Sequence, residues 1–251
     1  MRKIFASVFI IIIVQGIITV SYGASEYTDI PKTNWAYDAV SAMVDKAVIK
    51  GYPDGSFKPN NRITYGEFIK MALVAATDKD LGNASSPDHW AQKYYNKAVE
   101  LKYFTEYEIH KSQLSQQIPR KDMALIISSI LGDVKIENYD AIQDRMKDVN
   151  ERTKQEYDIT KVFATGILTG YPDSTFKPDN TLTRAESAIV IYRLVDESKR
   201  ELPGGVKEVV TGNVEDVVKN ADSFINPGNG TINEDLAAAE TYEIVVDANM
   251  E

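Results

Sequence analysis

Two segments of the chain, 119 residues apart, carry nearly the same seventeen-residue phrase. Residues 51–67 read GYPDGSFKPNNRITYGE and residues 170–186 read GYPDSTFKPDNTLTRAE, with ten identities in seventeen positions and no gap. Such a repeat predicts a fold made of copies of one supersecondary unit, each too small to bury its apolar side chains alone. The interval between the phrases leaves room for a third unit.

A degenerate unit fills that interval. A shift of 55 residues aligns Trp35 with Trp90, and it places Arg120 opposite Tyr65 and Asp122 opposite Glu67. Residues 106–122 lack the glycine, proline and aspartate that open the other two phrases. The sequence therefore predicts three repeats, of which the middle one is eroded.

Apolar residues on both sides of each phrase recur at helical spacing. Val40, Met43 and Val44 precede the first phrase, and Phe68 and Met71 follow it, at the i, i+3, i+4 spacing of an amphipathic helix. The other two units have corresponding stripes. Each unit is therefore predicted to be helix, loop, helix, with three such units packed about a common axis.

The phrases also carry helix-boundary signals. Thr64 and Glu67, like Thr183 and Glu186, have the spacing of a capping box and predict the start of the second helix. Gly51 and its counterpart Gly170 are expected to end the first helix.

These signals predict a mainly α fold of three helix-loop-helix repeats in a pseudo-threefold, three-lobed bundle, followed by a flexible tail. The predicted boundaries are a signal peptide at 1–23, repeats at 24–82, 83–142 and 143–200, and an acidic tail at 201–251.

The first residues resemble a secretory signal peptide. Arg2 and Lys3 precede a mostly apolar run from Ile4 to Val20, and small residues lie before a possible cleavage point at Ala24. A retained membrane anchor is the alternative, because the apolar run is close to the minimum length for a span. Cleavage would leave no membrane segment in the mature protein.

Composition excludes several classes of function. The chain has no cysteine and only two histidines, His89 and His110, so neither a soft-metal site nor a thiol nucleophile is expected. The turns at Asp54 and Asp173 lack the ligand series of a calcium loop, so we expect no metal and no cofactor. The net charge of −9 arises in residues 201–251, which hold eleven acids and two bases, and no basic face for nucleic acid is indicated.

The phrase, its cap and the leading Trp-Ala resemble the S-layer homology (SLH) domain family over residues 27 to about 200. The resemblance implies a central bundle with one helix from each repeat and non-covalent binding of secondary cell wall polysaccharide, often pyruvylated, in grooves between the lobes. It implies a secreted protein at the cell surface of a Gram-positive-type bacterium. The family's ligand arginine, in the Thr-Arg-Ala-Glu motif at 183–186, maps to Arg184 and to Arg120 in the second repeat.

An arginine in the first turn of a helix is unfavourable beside the helix dipole unless an anion lies ahead of the helix, where the free backbone amides and the guanidinium would share it. A ketal carboxylate would suit it, because guanidinium binds carboxylates through paired hydrogen bonds. The alternative is a purely structural pairing with a nearby acid such as Glu186 or Asp173. Tyr65 stands where the arginine should be in the first repeat, so we expect that repeat's own pocket to be weak or absent.

The remaining candidate ligand contacts are Trp35, Trp90, Asp29, Asp148, Thr183 and Glu186. The indoles could stack on a sugar or pack between lobes, and the third repeat has Lys154 at that position. Asp29 and Asp148 could accept sugar hydroxyls or fix a turn.

We therefore predict a non-catalytic wall anchor whose tail has a possible protein partner. A surface-layer subunit or adaptor is the alternative. A glycosidase is disfavoured because it needs two poised carboxylates, whereas the acids here lie at caps and turns. An outer-membrane tether would need a following barrel and is not expected.

Overall fold

A computed structural model of the chain describes residues 27–82, 88–203, 206–209 and 242–246. Its helices are α1 (Tyr37–Asp45), α2 (Tyr65–Thr77), α3 (Gln92–Glu100), α4 (Arg120–Leu131), α5 (Tyr139–Gln143), α6 (Glu156–Ala164) and α7 (Arg184–Val195). Short 3₁₀ turns occupy Lys111–Gln113 and Glu197–Lys199. The prediction of a mainly helical fold is confirmed. The signal segment predicted at 1–23 lies outside the described residues, among which no helix is long and apolar enough to cross a membrane.

The helices pack between units rather than within them. We use first, second and third unit for the pairs α1–α2, α3–α4 and α6–α7. Helix α3 packs on α2, α6 packs on α4, and α1 packs on α7, so the first helix of each unit covers the second helix of the unit before it. The contact of α1 with α7 closes the ring, and α2 also touches α4 and α7 at its centre.

The segments that lead into α2, α4 and α7 meet at the centre of the ring. Isolated β-bridges join Arg62 to Thr183, Thr64 to Gln117 and Pro119 to Thr181. The amide of Ile63 donates to the carbonyl of Leu182 at 3.1 Å, and the amide of Ile118 donates to the carbonyl of Ile63 at 3.2 Å. These three side chains are buried, so each unit contributes one apolar residue to a shared core.

The predicted capping boxes are present. Thr64 caps α2 and Thr183 caps α7, and in each the hydroxyl accepts from the amide of the glutamate at N3 while that carboxylate accepts from the amide of the threonine. The start of α4 follows Pro119 and has no side-chain cap.

The prediction that Gly51 and Gly170 end the first helices is wrong. Helix α1 ends at Asp45 and is followed by Ala47 at φ 57°, while α6 ends at Ala164 and is followed by Gly166 at φ 68°. Gly51 is needed for space instead, since a Cβ there would lie 2.1 Å from the ring of Tyr27.

Part of the C-terminal segment forms strands. β1 (Val134–Ile136) follows α4, and it pairs in parallel with β3 (Tyr242–Val246), which pairs antiparallel with β2 (Val206–Val209). The tail was expected to be flexible, yet its β-branched segments have the composition that favours strands. The remainder of 204–251 lies outside the described residues.

Candidate glycan-binding grooves

Two equivalent grooves lie between the units, and each is named after the unit that supplies its turn and its glutamate. The first groove, of about 180 Å³, includes Tyr52 and Glu67 of the first unit, Arg184 of the third and Trp90 of the second. The third groove, of about 190 Å³, includes Tyr171 and Glu186 of the third unit, Arg120 of the second and Trp35 of the first. Each groove therefore combines a turn and a glutamate of one unit with an arginine from the unit before it and a tryptophan from the unit after it.

Arg184 holds the third unit against the first. Its side chain is 7% exposed, and it donates to the carbonyls of Phe57 at 3.0 Å and Lys50 at 3.2 Å. Its third nitrogen forms an ion pair with Glu67 at 3.2 Å. The acid that pairs with Arg184 thus belongs to another unit and is neither Glu186 nor Asp173.

Arg120 makes the corresponding contacts with the third unit, but without the close ion pair. Its Nε donates to the carbonyl of Phe176 at 2.8 Å and its Nη2 donates to the carbonyl of Thr169 at 2.7 Å. Among residues 27–82 and 88–203, no hydrogen-bond acceptor engages Nη1. Burial lowers the pKa of this guanidinium, and the charge of Glu186 is among the groups that oppose the shift.

The helix N-termini behind these arginines are already satisfied. The amide of Arg184 donates to the carbonyl of Asn61 at 2.9 Å, and the amide of Arg120 donates to the carbonyl of Asn180 at 2.8 Å. The expectation that an anion shares free helix amides with the arginine is therefore wrong. Any anion in these grooves must be bound by side chains and by turn residues.

The two tryptophans are exposed at the groove edges. Trp35 is 67% exposed and Trp90 is 47% exposed, which is unusual for the largest apolar side chain. Trp90 has the ring of His89 at 5.7 Å and the edge of Tyr94 at 6.3 Å. Neither indole is a core residue, so both present a flat apolar face to solvent beside an arginine.

Tyr65 belongs to the contact between the first and second units. It is buried, its hydroxyl donates to Asp122, and it accepts from Gln113 at 3.3 Å. The other Asp122 oxygen accepts from Gln155 at 2.7 Å. The prediction that Tyr65 weakens the first unit's own pocket is therefore wrong, because that groove receives Arg184 from the third unit.

The location that lacks a motif arginine is instead the one beside the second unit's turn. There Tyr65 of the first unit stands in place of the arginine and Lys154 of the third unit stands in place of the tryptophan. Both oxygens of the Asp122 carboxylate already accept hydrogen bonds.

Asp29 and Asp148 fix the turns of their own units. Asp29 accepts from the amides of Phe57 at 2.8 Å and Lys58 at 2.7 Å, and Asp148 accepts from the equivalent amides of Phe176 and Lys177, both at 2.7 Å. In each carboxylate both oxygens accept from backbone amides. The structure therefore favours the role of fixing a turn over that of binding sugar hydroxyls.

Thr183 and Glu186 form the helix cap, and Glu186 also lines the third groove.

Sequence reasoning missed the cations Lys50 and Lys70 of the first groove and Arg193 of the third. These residues carry no motif, and only the packing of units around the ring brings them to the grooves. No group of three or more potential metal ligands occurs among the described residues.

Comparison with known proteins places the S-layer homology domain on two segments, residues 26–69 and 145–188. These segments contain the first and third phrases.

Similar proteins carry diverse names. A cellulosome-anchoring protein of Acetivibrio thermocellus is 32% identical over 64% of this chain and 37% of its own length. An amylopullulanase of Thermoanaerobacterium thermosulfurigenes is 28% identical over 70% of this chain and 10% of its own length. An S-layer protein of Bacillus thuringiensis subsp. finitimus is 25% identical over 76% of this chain and 24% of its own length. The chain thus spans well under half of each of these curated relatives.

Proposed function

We propose that this chain is a non-catalytic module that anchors itself to the bacterial cell wall by binding secondary cell wall polysaccharide in the first and third grooves. The observation that carries the proposal is the pair of equivalent grooves, each with an exposed tryptophan beside an arginine. A polymer of repeating sugars would suit a protein that presents the same combination of groups twice.

The chemistry of the third groove fits an anionic sugar such as a pyruvate ketal. Arg120 and Arg193 line it. Arg193 is already paired with Glu201, whereas the Nη1 of Arg120 has no acceptor among the described residues. Charge-assisted hydrogen bonds to a carboxylate are among the strongest available to a protein. The indole of Trp35 offers an apolar face to sugar C–H groups and one N–H donor.

The first groove differs in its charges. Lys50 and Lys70 line it together with Arg184, whose charge is already balanced by Glu67. Burial lowers the pKa of the Lys70 amine, an effect opposed by the charge of Asp80. Both lysines pair with the same carboxylate, Asp80, at 3.2 Å from Lys50 and 3.6 Å from Lys70. Two cations that share one acid leave one net positive charge, in place of the arginine's charge in the third groove.

The comparisons support anchoring rather than catalysis. Relatives named as an anchoring protein, an enzyme and an S-layer protein share this region, which makes up only part of each of them. A module common to proteins with different activities fits a shared location better than a shared reaction. We further propose that the protein consists of three tandem repeats at 24–82, 83–142 and 143–200. A signal peptide at 1–23 would export it to the surface of a Gram-positive-type cell.

A surface structural subunit or adaptor whose tail binds another protein is the second candidate. Two segments of the tail form strands beside Val134–Ile136, so the tail contributes to an ordered sheet. Such an adaptor would still use the grooves to reach the wall.

The proposal is tested by co-sedimentation of the protein with purified cell-wall sacculi before and after acid removal of the secondary polysaccharide. We expect binding to intact sacculi and its loss on stripping. Binding that survives stripping would assign the target to peptidoglycan, and absence of binding to either preparation would refute the anchoring function.

A matched pair of variants connects the result to the grooves. Trp35→Ala combined with Trp90→Ala should reduce sedimentation strongly. Tyr107→Ala is the control, because Tyr107 is a fully exposed aromatic residue that lines neither groove. Equal losses in both variants would argue against a groove-specific contact.

A further inference from the structure

A separate cavity adjoins the third groove. It has a volume of about 330 Å³, larger than the about 190 Å³ of the groove itself, and shares residues 169–171 with it. Its other walls include Arg145, Phe163 of α6, the turn residues Ser174 and Thr175, and the chain at 201–203. We refer to it as the side cavity.

The side cavity exists because the third unit lacks a residue that the first unit has. In the first unit, the ring of Tyr27 fills the space beside Gly51, and its phenol oxygen accepts from the Gly51 amide at 2.8 Å. The residue 119 positions later is Met146, which is buried and has no oxygen to offer. Phe163, which replaces Val44, occupies part of the space beside Gly170.

This replacement leaves a backbone donor without its partner. Among the described residues, no acceptor engages the amide of Gly170, whereas the amide of Gly51 is satisfied by Tyr27. Because Gly170 lines the side cavity, its amide gains from an oxygen at the position that corresponds to the Tyr27 phenol. The cavity volume is at the lower end of the range typical of small-molecule sites.

We propose that the side cavity is a second subsite, which binds the sugar next to the one in the third groove. A hydroxyl or carbonyl oxygen of that sugar accepts from the Gly170 amide in place of the Tyr27 phenol. The sugar is an uncharged hexose, because both charges on the cavity wall already have partners: Glu201 is paired with Arg193, and Arg145 also interacts with another group. The glycan crosses residues 169–171, with Tyr171 common to both sites. This inference rests on the proposed function.

The test is an NMR titration of the isotopically labelled protein with size-fractionated fragments from partial hydrolysis of the wall polysaccharide. The indole N–H of Trp35 reports on the third groove, and the amides of Ser174 and Thr175, which line the side cavity but not the groove, report on the side cavity. Single sugars should shift only the indole signal, and fragments of two or more sugars should shift both sets. The amides of Gly55 and Ser56 are the internal control, because they hold the equivalent turn positions in the first unit, where Tyr27 fills the space beside Gly51.

The outcomes separate the two proposals. A shift of the Trp35 signal without any shift of Ser174 or Thr175, even with long fragments, would overturn the second subsite and leave the anchoring function intact. No shift of any signal with any fragment would overturn both.

A transplant of the first unit's arrangement gives an independent test. Met146→Tyr with Phe163→Val installs the Tyr27 and Val44 pair in the third unit, which should fill the side cavity and satisfy Gly170 internally. Affinity for long fragments should fall roughly fivefold to tenfold, as expected for one lost hydrogen bond, while affinity for single sugars is unchanged. Unaltered long-fragment affinity in the folded variant would refute the subsite. The titration of the unmodified protein decides the question if the variant does not fold.

Discussion

Replacing Arg120 with alanine should destabilise the whole bundle, not only weaken glycan binding. Arg120 is 4% exposed, and its guanidinium ties the second unit to the third through the carbonyls of Phe176 and Thr169. It also lies 4.3 Å from the ring of Phe176 and 5.0 Å from the ring of Tyr171. The motif alone suggests that Arg120 and Arg184 could be removed with the fold intact, and these contacts argue otherwise.

The magnitude follows from the lost contacts. Each buried carbonyl left without a donor costs about 1–3 kcal/mol, and the loss of a partly buried cation–π contact adds on the order of 1 kcal/mol. For the two carbonyls and the ring contact together, we therefore expect Arg120→Ala to lower the free energy of unfolding by about 3–7 kcal/mol. This is a large fraction of the roughly 5–15 kcal/mol typical of a folded domain.

The assay is urea unfolding followed by circular dichroism, in parallel with sedimentation on sacculi. Arg120→Lys keeps the charge but cannot reproduce the forked pair of hydrogen bonds, so it should recover only part of the stability. Trp35→Ala is the matched control. It removes an exposed side chain from the same groove and should change stability by no more than about 0.5 kcal/mol while reducing binding. An Arg120→Ala protein as stable as wild type would refute the structural role and leave the arginine as a ligand contact only.

Three further predictions concern other contacts. Tyr65→Phe should lower the free energy of unfolding by about 1–3 kcal/mol, because a buried oxygen of Asp122 loses its donor; sedimentation should not change, and a selective loss of binding would contradict this assignment. Asp29→Asn should lower the melting temperature by weakening the turn at Phe57, yet the folded variant should bind sacculi normally, and failure to bind would restore Asp29 as a ligand contact. Burial alone would raise the pKa of Asp80, but hydrogen bonds led by that from Tyr94 lower it to about 2. The contribution of Asp80 to stability is therefore present above the unfolded pKa of about 4 and is lost as the pH falls towards 2. In urea unfolding across this range, the free energy of unfolding should fall less steeply with pH for Asp80→Asn than for wild type. Equal slopes in the two proteins would count against the contribution.

The local features of this fold could be predicted from the sequence because each is encoded within a few residues. The capping boxes at Thr64 and Thr183 depend on residues three positions apart, and both are present. The helical stripes likewise predicted mainly helical units. The stop signals assigned to Gly51 and Gly170 were wrong because a glycine can also be required where another chain segment approaches closely, and the approach of Tyr27 is not visible locally.

The candidate site was predictable only in its residue types. Trp35, Arg120 and Arg184 were identified from their repeat positions, and the structure brings all three to grooves. The partners of the arginines were not predictable, because backbone carbonyls of another unit have no sequence signature. Asp29 and Asp148 were equally ambiguous, since a carboxylate that fixes a turn and one that binds a sugar look the same in sequence.

By itself, the sequence determined that this chain is built from repeated helical units. Two of the units have a tryptophan near their start, and two have an arginine at the start of their second helix. Only the tertiary structure decided which units these residues join. Since α1 packs on α7, the third unit's arginine faces the first unit's turn, and the second unit's arginine faces the third. The order of units around a closed ring follows from how apolar helix faces are buried against one another, a long-range property that no single repeat contains.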